Sequence, residues 1–367
     1  MLEPPAQLIK SFVLRRKQLN MPSHDFTSGL RQEADLALVE RPSEAFWSEN
    51  YLFALYDAGN DIGMWLHLGT VPTDWSFWED RIYISLPHGR GVLSATSYSA
   101  AQKSANPAGA VMQFECHEPF RRWAIRFDGF VLHTSEEAME AGDGTSYRKR
   151  LTVDLEVTCV TPVWDASSAP GENGKFGMDA QSWAKEHYEQ LVIAKGEAVL
   201  DGEVFKIDAT GWRDHSRGPR GGNTREPWGG HVIVGCQFPS GRKFLFSRYW
   251  RPDGGINLAG GMIIDDKGDR HVAEIVEAPE LTELVVRGET LPLHLKWQGG
   301  ELQTSVETVT SIWIPRERKH TVGRDRIGAL NDMYVLNWGP VSWDNEIGHA
   351  YVERSAHLNA LPKKVGA

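Results

Sequence analysis

The chain has 367 residues, with 49 acidic against 39 basic side chains and a formal net charge of −10. That length suits two domains rather than one, and an apolar fraction of 41 % can fill ordinary cores. The acidic balance speaks against nucleic acid as a partner, because sequence-independent binding needs a strong basic face. Fourteen tryptophans exceed what a chain of this size needs. Trp is favourable only where a large flat surface is buried with its N–H satisfied, so the count points to aromatic-rich barrel cores, to an aromatic-lined cavity for a bulky apolar ligand, or to both.

The N-terminal segment reads as a short helix over residues 6–20. Leu8, Phe12, Val13 and Leu19 fall at rough helical spacing between the breakers Pro4, Pro5 and Pro22. The run Arg15-Arg16-Lys17 is then a solvated helix face, and the interruption by Lys10 and Ser11 argues against a secretory signal. From Phe46 to Cys159 short strands alternate with Gly, Pro, Asn and Asp. Ile82 and Ile84 alternate with Tyr83 and Ser85; Val153, Leu155, Val157 and Cys159 alternate with Asp154, Glu156 and Thr158, the two-residue period of a half-buried strand. Residues 165–178, rich in Ser, Pro, Gly and Asn, read as a linker, and residues 180–190 as a short inter-domain helix. A second strand series starts near Leu191, with hairpin turns at Asp201-Gly202, at Pro239-Ser240-Gly241-Arg242 and at Asp265-Asp266-Lys267-Gly268. Leu291, Leu293, Leu295 and Trp297 alternate before Gly299-Gly300. The expected organisation is a lead-in over 1–42, a first β-domain over 43–178 and a second over 179–367, an all-β chain of two antiparallel sheets or barrels.

Common catalytic signatures are missing: there is no HExxH, GxSxG, GxxxxGK[ST] or strand-linked GxGxxG. The histidines show no short ligand spacing. His215 and His231 could meet only on adjacent strands, and a hydrogen-bonded structural histidine is the commoner case, so no metal site is expected. Cys116, Cys159 and Cys236 lie far apart without CxxC, which suits a reducing, cytoplasmic setting. No run approaches 18 apolar residues, so no transmembrane helix is expected. Oligomeric state is not legible.

One window stands out. Gly211-Trp212-Arg213-Asp214-His215-Ser216-Arg217-Gly218-Pro219-Arg220 sets an aromatic plane, three guanidinium groups, a carboxylate, an imidazole and a hydroxyl between glycines, just where a strand-like run ends. A core strand would not tolerate so many charges unless they were paired or faced a cavity. It is either a polar constellation at a site or a buried ion network pinning a sheet edge.

This run resembles a hallmark of the carotenoid 1,2-hydratase and AttH families, tandem lipocalin-like barrels of calycin type. Three further stretches carry the resemblance: Glu186-His187-Tyr188-Glu189-Gln190; Phe46-Trp47-Ser48-Glu49-Asn50-Tyr51 with Gly63-Met64-Trp65; and Gly348-His349-Ala350-Tyr351-Val352-Glu353. Arg217, where relatives often carry an aromatic, and His349, which interrupts the closing Gly/Tyr pattern, depart from it and suggest a pocket of altered polarity. The resemblance implies two tandem lipocalin-like barrels. It also implies chemistry without a redox cofactor: addition of water to isoprenoid double bonds, or cyclisation and rearrangement of hydrophobic natural products.

The residues themselves suggest how. If the motif stays extended, Trp212, Asp214 and Ser216 share one face, and Arg213, His215 and Arg217 the other. Should Asp214 face a dry cavity, it is the catalytic acid; should His215 face it, His215 is the acid/base and Asp214 its support. Trp212, Trp228, Trp250, Trp338 and Trp65 are candidates to stabilise a cation. Tyr188 and Tyr249 could donate to a substrate oxygen, Glu189 could be a second carboxylate, and Arg217 joins the substrate-binding set. Arg220 and Arg225 could clamp a carboxylate or phenolate. The expected function is a cofactor-independent hydratase/dehydratase, isomerase or cyclase acting on a hydrophobic terpenoid, steroid-like or aromatic compound. The alternative is a non-catalytic carrier for an apolar small molecule.

Overall fold

A computed structural model describes residues 25–166, 184–220, 229–326 and 331–358. The expected helix over 6–20 lies outside the described residues. The chain first forms β1 (Trp47–Asp57), β2 (Ile62–Val71), β3 (Asp74–Ser85), β4 (Val92–Ala100), β5 (Met112–Glu118) and β6 (Arg122–Thr134). A short helix, α1 (Glu136–Ala141), is N-capped by the Ser135 hydroxyl and leads to β7 (Tyr147–Cys159). The two-residue β8 (Trp164–Asp165) and the long strands β9 (Glu186–Leu200) and β10 (Glu203–Pro219) follow. Antiparallel pairing in the order β10-β1-β2-β3-β4-β6-β7-β9, with β9 returning to β10, closes an eight-stranded barrel. Its interior is filled by Phe53, Leu55, Leu66, Phe114, Trp123 and Leu155, among others. Replacing one of these by Ala costs about 2–5 kcal/mol.

The second sheet comprises β11 (Gly230–Gln237), β12 (Lys243–Trp250), β13 (Ile256–Ile264), β14 (Arg270–Glu277), β15 (Thr290–Trp297), β16 (Gly300–Glu307), β17 (Thr310–Pro315), β18 (Asp332–Trp343) and β19 (Glu346–His357). Its order is β16-β15-β14-β13-β12-β11-β19-β18-β17, and β16 meets β18 at Val306 and Val341, so this sheet also curls back on itself. Val232, Val234, Phe244, Phe246 and Val352 fill it. A third apolar cluster, including Leu52, Trp65, Trp212, Ile233, Leu245, Trp338 and Tyr351, joins the outer faces of the two barrels.

The tandem-barrel architecture and the three hairpin turns appear where the sequence placed them. Two expectations are corrected. Residues 186–190 do not continue a helix; they open β9, in register with β10 from Glu186 opposite Arg217 to Leu200 opposite Glu203. Helix-forming Glu and Gln are overridden there by pairing on both sides, to β10 along the whole stretch and to β8 at Tyr188 and Glu189. The domain division expected at 178/179 also moves: β9 and β10 complete the first barrel, and the change of sheet falls between Pro219 and Gly230. The Gly211 backbone lies so close to β1 that a Cβ there would sit 2.1 Å from the Ala54 carbonyl oxygen, which accounts for the first glycine of the motif.

Candidate functional site

The motif strand β10 stays extended, so its side chains alternate. Arg213, His215 and Arg217 turn into the first barrel. Arg213 Nη2 donates to Asp35 Oδ1 at 2.6 Å and its Nε to Gln190 Oε1 at 2.9 Å. The Tyr188 hydroxyl meets Asp35 Oδ1 at 2.6 Å and His215 Nδ1 at 2.6 Å. His215 Nε2 lies 3.0 Å from Glu49 Oε1, and its ring stacks on Tyr51 with centroids 4.0 Å apart. Arg217 Nε donates to Glu186 Oε2 at 2.8 Å. Each of these charges is buried against an opposite charge or a hydrogen-bonding partner, which is what burial requires. The group ties the lead-in segment carrying Asp35 into the barrel end.

Trp212, Asp214 and Ser216 turn the other way, onto a cavity of about 650 Å³ between the barrels. Volumes of this order hold drug-sized, multi-ring ligands. On the first-barrel side its wall includes Leu52, Trp65 and His67; on the second-barrel side, Ile233, Tyr249, Tyr334 and Leu336. The barrel interiors are packed, and this cavity lies between their outer faces.

Two carboxylate–imidazole pairs, one from each barrel, line this cavity. On the first, His187 Nε2 contacts Asp214 Oδ2 directly and lies 3.3 Å from Glu189 Oε1. Burial pushes the His187 imidazolium down, but the charges and hydrogen bonds of Asp214 and Glu189 outweigh it and raise the pKa to about 10. His187 is therefore a charged acid at neutral pH. Glu189, fully buried behind the wall, also accepts from Trp212 Nε1 at 3.2 Å and from the Ser247 hydroxyl at 2.9 Å. On the second pair, Glu353 Oε1 lies 2.9 Å from His231 Nε2, and Glu353 Oε2 accepts from Trp65 Nε1 at 3.0 Å and from the Tyr351 hydroxyl. Burial pushes the Glu353 carboxyl up, yet the His231, Tyr351 and Trp65 hydrogen bonds hold it below the usual range, so it is ionised. Tyr249 has its phenol pushed well up by burial and by the charges of Glu189, Asp214 and Glu353, which keeps its proton in place.

His187, Glu189 and Asp214 each offer one ligand atom within 4.8 Å of the others, the one such group among the described residues. His187 bridges the two carboxylates of this triad. His215 and His231, weighed as a metal pair from the sequence, lie in different environments, one inside the first barrel and the other on the cavity.

Another part of the cavity wall carries four cations. Arg81, Arg220, Arg316 and Lys319 all line it. Arg81 Nε pairs with Glu79 Oε1 at 2.5 Å, Arg316 Nη1 with Asp332 Oδ2 at 3.2 Å, and Arg220 Nη2 donates to the Ser216 hydroxyl at 2.6 Å. The Lys319 pKa falls to about 7, first through the charge of Arg81 and then through burial.

Of the residues singled out from the sequence, Asp214, Trp212, Tyr249, Trp65 and Arg220 line the cavity, with Glu189 directly behind. Tyr188, His215 and Arg217 do not: strand parity sends them into the first barrel, so Arg217 cannot alter the pocket's polarity. Trp250 faces away from the cavity because its neighbour Tyr249 faces it, and packs on the second-barrel core. Trp338 is buried between the barrels against Gly63, where a Cβ would come within 2.5 Å of its ring. His349 sits beside Tyr56, away from the cavity lining. Trp228 and Arg225 lie outside the described residues. Sequence reasoning missed His187, Arg81, Lys319 and the His231–Glu353 pair as a unit. His187 carried a usable signal: it neighbours Tyr188, shares a strand face with Glu189 and pairs opposite Ser216.

Fold and site together define a tandem β-barrel protein with a cavity between its barrels, the fold of AttH-type proteins. An AttH-type protein (NE1406) from Nitrosomonas europaea superposes with a TM-score of 0.55 at 11 % identity, over 88 % of this chain and 100 % of its own. CghA gives 0.47 at 10 % identity, covering 85 % and 88 % of the two chains, and kievitone hydratase from Nectria haematococca gives 0.46 at 14 %, covering 90 % and 97 %. At these identities the likeness is one of fold. The chain belongs to the family described as a domain of unknown function, DUF7064, whose model matches residues 36–322. No curated protein sequence matches it. Among the described residues no helix is long and apolar enough to cross a membrane.

Proposed function

We propose that this protein is an acid/base enzyme of the hydratase/dehydratase, isomerase or cyclase kind. Its substrate is a hydrophobic, ring-containing small molecule held between the two barrels. The observation that carries this reading is the placement of an acid and a base on opposite barrels around one cavity: imidazolium His187 on Asp214, and ionised Glu353 with His231. Titratable groups whose surroundings push their pKa values apart are the usual division of labour between general acid and general base. In the hydration direction His187 gives its proton to one alkene carbon. Trp65 and Trp212 stabilise the resulting cation, water adds to the other carbon, and the water's proton leaves to the Glu353–His231 pair. Dehydration is the reverse. Asp214 holds His187 charged and oriented. No step in this scheme calls on a redox cofactor, and the free thiols support a cytoplasmic setting.

The test begins with the small molecule that co-purifies with the protein, identified by native mass spectrometry. Incubated with wild-type protein in deuterium oxide, that compound should gain carbon-bound deuterium or be converted. Asp214→Asn should still bind it but slow the exchange about 10²–10⁴-fold. A compound that binds and returns unchanged, with Asp214→Asn only lowering the melting temperature, would make the protein a carrier instead.

A further inference from the structure

The cavity is electrically lopsided. One part of its wall carries the two carboxylate–imidazole pairs; another is built from Arg81, Arg220, Arg316 and Lys319. These four cations come from separate places: β3, the segment after β10, and the turn after β17. Three carboxylates accompany them: Glu79 on Arg81, Asp332 on Arg316, and Asp214, whose charge acts on Arg220. Arg220 bonds the Ser216 hydroxyl, and Lys319 Nζ lies 5.8 Å from the Tyr334 ring centroid. Four cationic side chains thus stand against three carboxylates, and they crowd one another: the charges of Arg81, Arg316 and Arg220 all push the Lys319 ammonium down. A dry site concentrates such a field, and a guanidinium fork suits a planar oxyanion.

We infer that the ligand is an organic anion whose carboxylate, phenolate or enolate sits among Arg81, Lys319 and Arg220, while its apolar body extends along Trp65 and Trp212 toward His187. This rests on the proposed function for the orientation of the reacting end, but not for the anion itself. It narrows the substrate from any hydrophobic compound to an amphipathic acid. Anchoring one end by charge fixes which carbon lies beside His187, the kind of positioning that makes proton transfer selective.

Lys319 supplies a distinctive signature. The groups facing it are Arg81, Glu79, Arg316 and Arg220, with Tyr83, Tyr98, Tyr334 and the neutral His67 nearby. With the free lysine titrating near 7, an arriving anion favours its charged form. Binding above that pH therefore takes up a proton, and affinity should fall by at most about tenfold per pH unit as pH rises from 7.

Calorimetry on the full chain with 2-naphthoate and its neutral isostere 2-naphthamide reads this directly. Naphthoate should bind at least about tenfold tighter than the amide, and its affinity should weaken from pH 7 to 8.5. Lys319→Met should remove most of the preference; Lys319→Arg should keep it and flatten the pH dependence. Equal binding of acid and amide, no naphthoate binding at millimolar concentration, or an unchanged preference in Lys319→Met would each overturn the inference. Asp214→Asn should retain the preference for the acid. If it does and deuterium exchange fails in the wild type, the anion site stands and the catalytic reading falls.

Discussion

The two faces of β10 carry similar chemistry toward different ends. Inward, Arg213, His215 and Arg217 meet Asp35, Gln190, Glu49, Tyr188 and Glu186 within a filled barrel. Outward, Trp212, Asp214 and Ser216 meet an open space of about 650 Å³. Charge density alone does not mark a site. What separates the two faces is whether the polar groups have room for a guest beside them. A buried network with every member occupied specifies structure; the same residue types with a vacant neighbour can move a proton.

The sharpest way to break this contrast is on the cavity side. His187→Gln removes the acid and should cut turnover of the co-purifying ligand about 10²–10⁴-fold in steady-state kinetics. The same variant has a pH signature. Because His187 is raised in the folded state from 6.5 to about 10, its contribution to stability is full below pH 6.5 and is lost as pH rises through about 10. Urea denaturation should therefore show the gap between wild type and variant closing over that interval. A gap that widened with pH would mean that His187 is neutral in the fold.

On the barrel side the expected losses are in stability. Arg213→Ala strands Asp35 in the interior and should cost about 3–5 kcal/mol in urea denaturation, since breaking a buried pair leaves an uncompensated charge. His215→Gln should cost about 1–3 kcal/mol through its lost Glu49 and Tyr188 bonds. Its turnover per folded molecule should match wild type. A His215 variant as inactive as His187→Gln would erase the distinction between the faces. Smallest of all, Ser216→Ala on the outer face gives up the Arg220 bond and should change stability by less than about 1.5 kcal/mol.

The alternation of the motif was legible because an extended strand has a period of two whatever surrounds it. The side that saw the cavity was not, since this depends on which barrel the strand completes. Residues 186–190 look helical by composition, and only the flanking strands β8 and β10 make them β. Placing the division at residue 178 followed from local Ser, Pro and Gly content, whereas barrel closure is decided by pairing between β10 and β1, some 160 residues apart. The same distance hid the site's other half. Glu353 stood within a stretch that carried the family resemblance, but nothing local links it to His231, Trp65 or the opposing His187. Lys319 and Arg81 are ordinary surface residue types until the fold brings them to one wall. Trp212 and Tyr249 could be singled out because a large aromatic must be buried somewhere; Trp250 and Trp338 show that such burial does not say where.

Each barrel keeps its own apolar filling, and the apolar seam between them is a separate cluster that includes Trp65, Trp212, Ile233 and Tyr351. The working chamber is therefore a mould cast from two halves. A chain severed between residues 221 and 228 should yield fragments with intact interiors but a raw, sticky flank apiece. Neither fragment would hold both proton-handling dyads, so whatever catalysis the protein performs would return only when the halves find each other again.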